Sequence, residues 1–176
     1  IHSTETPLAK TIFGLFGTFW ILPLMLLSGA NTFIYEVLWT RLLGHILGGS
    51  VAAFSTMLAS FLSGIAIGSA VAARFSKTRE MATAGFIFAQ CGIAITSILI
   101  YKYFSLLIPD TPGLSNNIAV AVSILMPATL FIGATFPFAV RILAENQTTA
   151  AHASARVYAW NTLGAIAGAA IAGFFL

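Results

Sequence analysis

The chain has 176 residues, 59% of them hydrophobic and only 7% charged, against roughly a quarter charged in soluble globular proteins. With 8 Lys or Arg and 5 Asp or Glu, it cannot cover a water-exposed globule, so the composition excludes a soluble enzyme, a disordered tail and a nucleic-acid binder. The net charge of +3 is a matter of topology, not a basic patch, and the single cysteine, Cys91, excludes a disulfide framework or a multi-cysteine metal site.

A helix needs about 20 apolar residues to cross the hydrocarbon of a bilayer. Five runs qualify: 12–35, 51–73, 81–101, 117–140 and 157–176. They lack the alternation of barrel strands, and lipid leaves backbone groups no partner outside a helix. The predicted fold is therefore all-α: one transmembrane domain over residues 1–176, a polytopic bundle of five helices whose solvent is the lipid bilayer.

The first run follows Lys10 and passes Ser28-Gly29-Ala30, the small-residue pattern of a signal-peptide cleavage site. It stays apolar through Phe33 and Ile34, so it reads as a span. Since the chain starts at Ile1 without Met, a preceding portion is expected. Pro23, like Pro127 and Pro137 in the fourth run, removes a helical hydrogen bond and predicts a kink. In Gly133-Ala134-Thr135-Phe136-Pro137 the carbonyl released by Pro137 is that of Gly133. A hinge or a coordination point fits there, as does a kink whose carbonyl is met by Thr135 or a neighbouring helix.

Polar groups at membrane depth are costly and therefore mark candidate sites: Asn31, Glu36, Arg41, Gln90 and Asn161. Glu36 and Arg41 lie about 140° apart around a helix, so each needs a partner elsewhere. Thr32, Glu36 and Thr40 share one face, and Asn31, Tyr35 and Trp39 the next. A carboxylate beside aromatic rings suits a cation or a polyamine-like ligand; an interfacial aromatic belt at the end of the span is the other reading. Gln90 suits an interhelical amide bridge. His45 and His152 lack metal-site spacing, and no nucleophile elbow, P-loop or dinucleotide loop occurs. No cofactor and no metal are expected.

Small residues let membrane helices approach closely. Ser60, Gly64 and Gly68 recur every four residues on the second span, and Ala165, Ala169 and Gly173 on the fifth, with Gly164 and Gly168 adjacent. These faces are expected to pack, within the chain or against another subunit. Pro109 to Gly113 reads as the turn between spans three and four. Lys10, Arg74, Lys77, Arg79, Arg141 and Arg156 fall on one side of the membrane and Arg41 and Lys102 on the other, which places the N-terminus in the cytoplasm, in a multi-pass protein of a bacterial inner membrane. The sequon Asn146-Gln147-Thr148 then lies inside and reads as a chance match.

Two segments resemble the membrane domain of spermidine-synthase-like proteins, a major-facilitator-like module usually fused to an aminopropyltransferase-like domain. One is Ser28-Gly29-Ala30 through Ile34-Tyr35-Glu36-Val37-Leu38-Trp39-Thr40-Arg41-Leu42-Leu43-Gly44. The other is Gly133 to Pro137 followed by Tyr158-Ala159-Trp160-Asn161-Thr162-Leu163-Gly164-Ala165-Ile166-Ala167-Gly168. The segment from Gly68 to Arg79 matches the major-facilitator loop at Arg74, Lys77 and Arg79, but carries Ala73 where that loop has Asp. The catalytic domain is absent from this sequence, so the resemblance implies a module that anchors, transports or assembles. It also implies a six-helix half built from two three-helix repeats, with a sixth helix after Leu176 or lost.

These readings lead to a non-catalytic subunit of a larger membrane assembly, docking on other membrane protein subunits through its Gly/Ala faces. The alternatives are a half-transporter for a small cation or polyamine, and a membrane anchor for a separate aminopropyltransferase-like domain.

Overall fold

A computed structural model describes residues 7–108, 113–144 and 147–175, with side chains of the first helix described from Phe19 onward. The described residues form five long helices, α1 Pro7–Ile46, α2 Val51–Phe75, α3 Arg79–Tyr103, α4 Leu114–Leu143 and α5 Gln147–Phe175, with one 3-10 turn at Phe104–Leu106. Each is long and apolar enough to cross a membrane. Residues 109–112 of the turn expected at 109–113, Asn146 of the sequon and the Lys10 side chain lie outside the described residues.

Two boundaries differ from those expected. The apolar stretch of α1 runs over Phe19–Ile46, well past Tyr35, because Val37 to Leu43 continues the apolar run and nothing stops the helix before Gly48 and Gly49. Those two glycines have φ of 90° and 59°, a left-handed backbone that other residues rarely adopt. α5 starts at Gln147, ten residues earlier than the span, because Ala150, Ala151, Ala153 and Ala155 are strong helix formers. The expected loop 141–156 shrinks accordingly, and Arg156 lies on a helix. Ser50 and Thr78 cap α2 and α3 by accepting from the amides of Ala53 and Met81.

α4 is the centre of the bundle. It packs on all four other helices, and half of its apolar window is buried inside the chain, against 22–33% for the rest. Apolar residues gather in two layers. One, at the end carrying Arg74 and Arg141, joins Met25, Phe86, Phe138 and Val157. The other joins Trp39, Leu43, Met57, Ile100 and Ile124. The pairing of Ile21 with Ile142 in one layer, and of Leu43 with Val120 in the other, makes α1 and α4 antiparallel. At mid-depth the buried hydroxyls bond to their own helices, Ser60 to Thr56, Thr129 to Leu125 and Thr135 to Ile132 carbonyls.

The two tightest crossings, α2 on α4 and α1 on α5, repeat each other. Gly68 of α2 lies on the Leu130 carbonyl, and Gly133 of α4, three residues after Leu130, lies on the Ile65 carbonyl. Gly164 of α5 lies on the Leu26 carbonyl, and Gly29 of α1, three residues after Leu26, lies on the Asn161 carbonyl. Pro23, Leu26, Gly29 and Ala30 thus recur as Pro127, Leu130, Gly133 and Ala134. Because α1 and α4 run oppositely, α1–α2 and α4–α5 form an inverted repeat.

Candidate functional site

The small-residue stripes meet partners inside the chain. Ser60, Gly64 and Gly68 are buried, Gly64 against the Thr129 side chain of α4. On α5, Gly164, Ala165 and Gly168 are buried, and Gly168 lies on the Ala30 carbonyl of α1; Ala169 is half-buried. Gly173 faces outward with open space around it. A row stepping every four residues drifts by about 40° per step around a helix, so the contact passes to Ala172, which is fully buried.

The kink region serves packing in the same way. α4 continues through Pro127 and Pro137, Gly133 is pressed on the α2 backbone, and the Thr135 hydroxyl donates to Ile132, not to Gly133.

Three of the polar candidates converge. Asn31 and Tyr35 on α1 and Gln90 on α3 line one cleft of about 510 Å³, with Ile132 of α4 contributing from behind. The cleft exists because α1 and α3 do not pack as a pair; each is held by α4. Ser28, Thr32 and Ser97 complete its polar lining. Within the chain, Thr32 donates to the Ser28 carbonyl at 2.8 Å and Tyr35 to the Ile124 carbonyl at 3.3 Å. Asn31 is exposed to the cleft and Gln90 half-buried beside it, and neither amide has a hydrogen-bond partner among the described residues. Ser28 and Ser97 do not stand out as site residues in the sequence, because hydroxyls in membrane helices commonly bond their own backbone. Their one signal is spacing: Ser28, Asn31, Thr32 and Tyr35 follow i, i+3, i+4, i+7, and Ser97 falls seven after Gln90.

The remaining candidates lie elsewhere. Trp39 is buried in the end layer, its ring 5.8 Å from Tyr35 and 5.4 Å from Phe104. Glu36 is half-buried outside the cleft, Arg41 is exposed, and neither has an ion-pair partner among the described residues. Asn161 is half-buried at the α1–α5 crossing, where its main-chain carbonyl meets Gly29. The cleft lining therefore carries amides and hydroxyls and no charge. Such a surface exchanges hydrogen bonds with a neutral polar group; it offers a cation no carboxylate.

No known family, curated protein or solved structure matches this chain.

Proposed function

We propose that the chain is a non-catalytic membrane module of a larger helical assembly, and that the α1–α3 cleft is where that assembly engages it. The occupant is a further transmembrane helix carrying Ser, Thr, Asn or Gln side chains. The observation that carries this reading is the pair of unpartnered amides, Asn31 and Gln90, at membrane depth. Moving an amide from water to an apolar medium without a hydrogen bond costs roughly 2–7 kcal/mol, whereas an interhelical hydrogen bond is worth only about 0.6–2 kcal/mol. Avoiding the desolvation cost outweighs the bond itself, so a surface with two open amides favours any polar partner over acyl chains. The Gly/Ala faces, being filled by α1 and α4, leave the cleft as the better docking surface. Its hydroxyls have no His, Asp or Glu beside them in the lining to activate one as a nucleophile.

A second reading is favoured by the inverted repeat. Transport modules of this architecture place their solute at the midplane between repeats, and the cleft borders both α1 and α4. In that reading the chain is a half-transporter, and the neutral lining points to a neutral polar solute before a polyamine. The motifs resembling the spermidine-synthase-like membrane domain lie on α1, α4 and α5, where the repeat contacts are made, and an anchor for a separate aminopropyltransferase-like domain follows from that resemblance.

The test is purification in mild detergent of the wild type and of an Asn31→Leu, Gln90→Leu double variant. A membrane protein that co-migrates stoichiometrically with the wild type, and is lost from a variant of unchanged helical content, supports docking in the cleft. A partner retained by the variant removes the cleft from the interface. Saturable solute uptake by the purified chain in vesicles replaces the docking reading with transport.

A further inference from the structure

A second pocket, of about 330 Å³, opens at the end of the bundle where α2 and α4 finish and α5 begins. Its polar lining residues are Ser76, Ser154 and Arg141; Phe136, Pro137 and Val140 form an apolar wall that leads back toward the membrane-spanning part of α4. Arg141 is firmly placed. It sits in the last turn of α4, where a cation is favoured by the helix dipole, and its Nη2 donates to the Lys77 carbonyl at 2.8 Å, tying the α2–α3 connector to α4. Its Nε is buried and has no hydrogen-bond partner among the described residues. A buried N–H on a charged group left without an acceptor is among the costlier defects in a folded chain. The Ser76 hydroxyl donates to the Ala73 carbonyl, so its oxygen remains able to accept but supplies no anion to Arg141. Arg74, Lys77 and Arg79 stand exposed around the same connector and Arg156 on α5, with Glu80 the acidic residue of the α3 first turn.

We infer that this pocket binds the phosphodiester headgroup of an anionic phospholipid, with Arg141 as the principal donor. A phosphate oxygen seated in the pocket accepts from the Arg141 guanidinium, in a charge-assisted hydrogen bond of the kind Arg forms best. The neighbouring cations raise the local anion concentration, and the apolar wall receives the start of an acyl chain. A basic pocket between helices at a membrane face has the form that recognises acidic headgroups. The pocket is separate from the α1–α3 cleft and shares no lining residue with it.

The experiment uses the full chain in micelles doped with phosphatidylglycerol or with diacylglycerol, which has the same acyl chains and no phosphate, with native mass spectrometry counting the lipid retained. One charge-assisted hydrogen bond corresponds to about tenfold in affinity, so the wild type retains phosphatidylglycerol about tenfold better. Arg141→Gln abolishes that preference. Ala150→Leu, which fills the pocket while Arg141 is kept, abolishes it too and keeps the test open if the first variant misfolds. Lys102→Gln, at the opposite end, leaves it unchanged. Equal retention of both lipids by the wild type overturns the proposal, as does an undiminished preference in Ala150→Leu. Inorganic phosphate at the same concentration does not compete; if it displaces the lipid completely, a free anion is the ligand and the lipid assignment falls.

Discussion

A side chain at position 68 would have to occupy the space of the Leu130 main-chain carbonyl, and one at 164 the space of the Leu26 carbonyl. Neither obstacle can rotate away, because each belongs to a helix backbone. Overpacking a well-filled core costs typically about 1–3 kcal/mol, and a clash with backbone belongs at or above the upper end. Gly68→Leu is therefore expected to destabilise the bundle by about 3 kcal/mol or more, read as a lower melting temperature in detergent. Gly173→Leu is the matched control, since nothing lies within 4 Å of where its Cβ would be; its melting temperature is expected to equal that of the wild type. If Gly68→Leu melts normally, the α2–α4 crossing is not as close as its glycines indicate. Trp39 makes a comparable case in the opposite sense: truncation to Ala leaves a cavity beside Tyr35 and Phe104 and is expected to cost about 3–5 kcal/mol. Tyr35→Phe gives up a single long hydrogen bond and is expected to cost less than about 1 kcal/mol.

Among the elements, α3 is the most weakly integrated, with 22% of its apolar window buried. Its seam to α4 rests on two glycines, Gly85 beneath the Phe138 ring and Gly92 beneath the Phe131 ring, with Phe88 edge-on to Phe131 at 5.7 Å. Removing Phe131, a half-buried ring, is expected to cost about 2 kcal/mol, below the full-burial value. Amides of α3 should then exchange with deuterium about 30-fold faster in nanodiscs, while those of α1 and α5 keep their rates. Uniform acceleration of all five helices would mean that the bundle opens only as one unit. The same contrast explains what is legible in the sequence. Apolar length alone implies five helices, since lipid admits little else, and the glycine spacing on α2 and α5 marks the close-packed faces. It names neither partner, because which helix approaches a glycine depends on the whole bundle. The convergence of Asn31 with Gln90 is hidden for the same reason: the two lie on helices with little direct contact, each held by α4. Glu36, prominent in the sequence as an acid near the end of an apolar run, falls outside the cleft, although Thr32, four residues earlier on the same face, lines it.

For the whole molecule, an inverted repeat raises a problem that charge must solve. If α1–α2 and α4–α5 are related by a two-fold axis in the membrane plane, hydrophobic packing alone is nearly indifferent to which end enters the cytoplasm. The symmetry is broken at the helix ends. Arg74, Lys77, Arg79, Arg141 and Arg156 gather with the start of α1 at one end, and Arg41 and Lys102 lie at the other. Positive residues in short connectors are retained on the cytoplasmic side, so a fluorescent protein inserted in the connector at Lys77 should fold in the cytoplasm. Alkaline phosphatase inserted at Leu107 should be active on the opposite side. Because the bias rests on few charges, it is also fragile. Counting Lys10, the basic end holds six positive residues against two; Arg74→Gln, Lys77→Gln and Arg79→Gln together leave three against two. The triple variant is expected to insert in both orientations, giving activity from either reporter at either connector. Retention of a single orientation would mean that asymmetry between the repeats, such as the extra length of α1 over α4, sets the topology in place of charge.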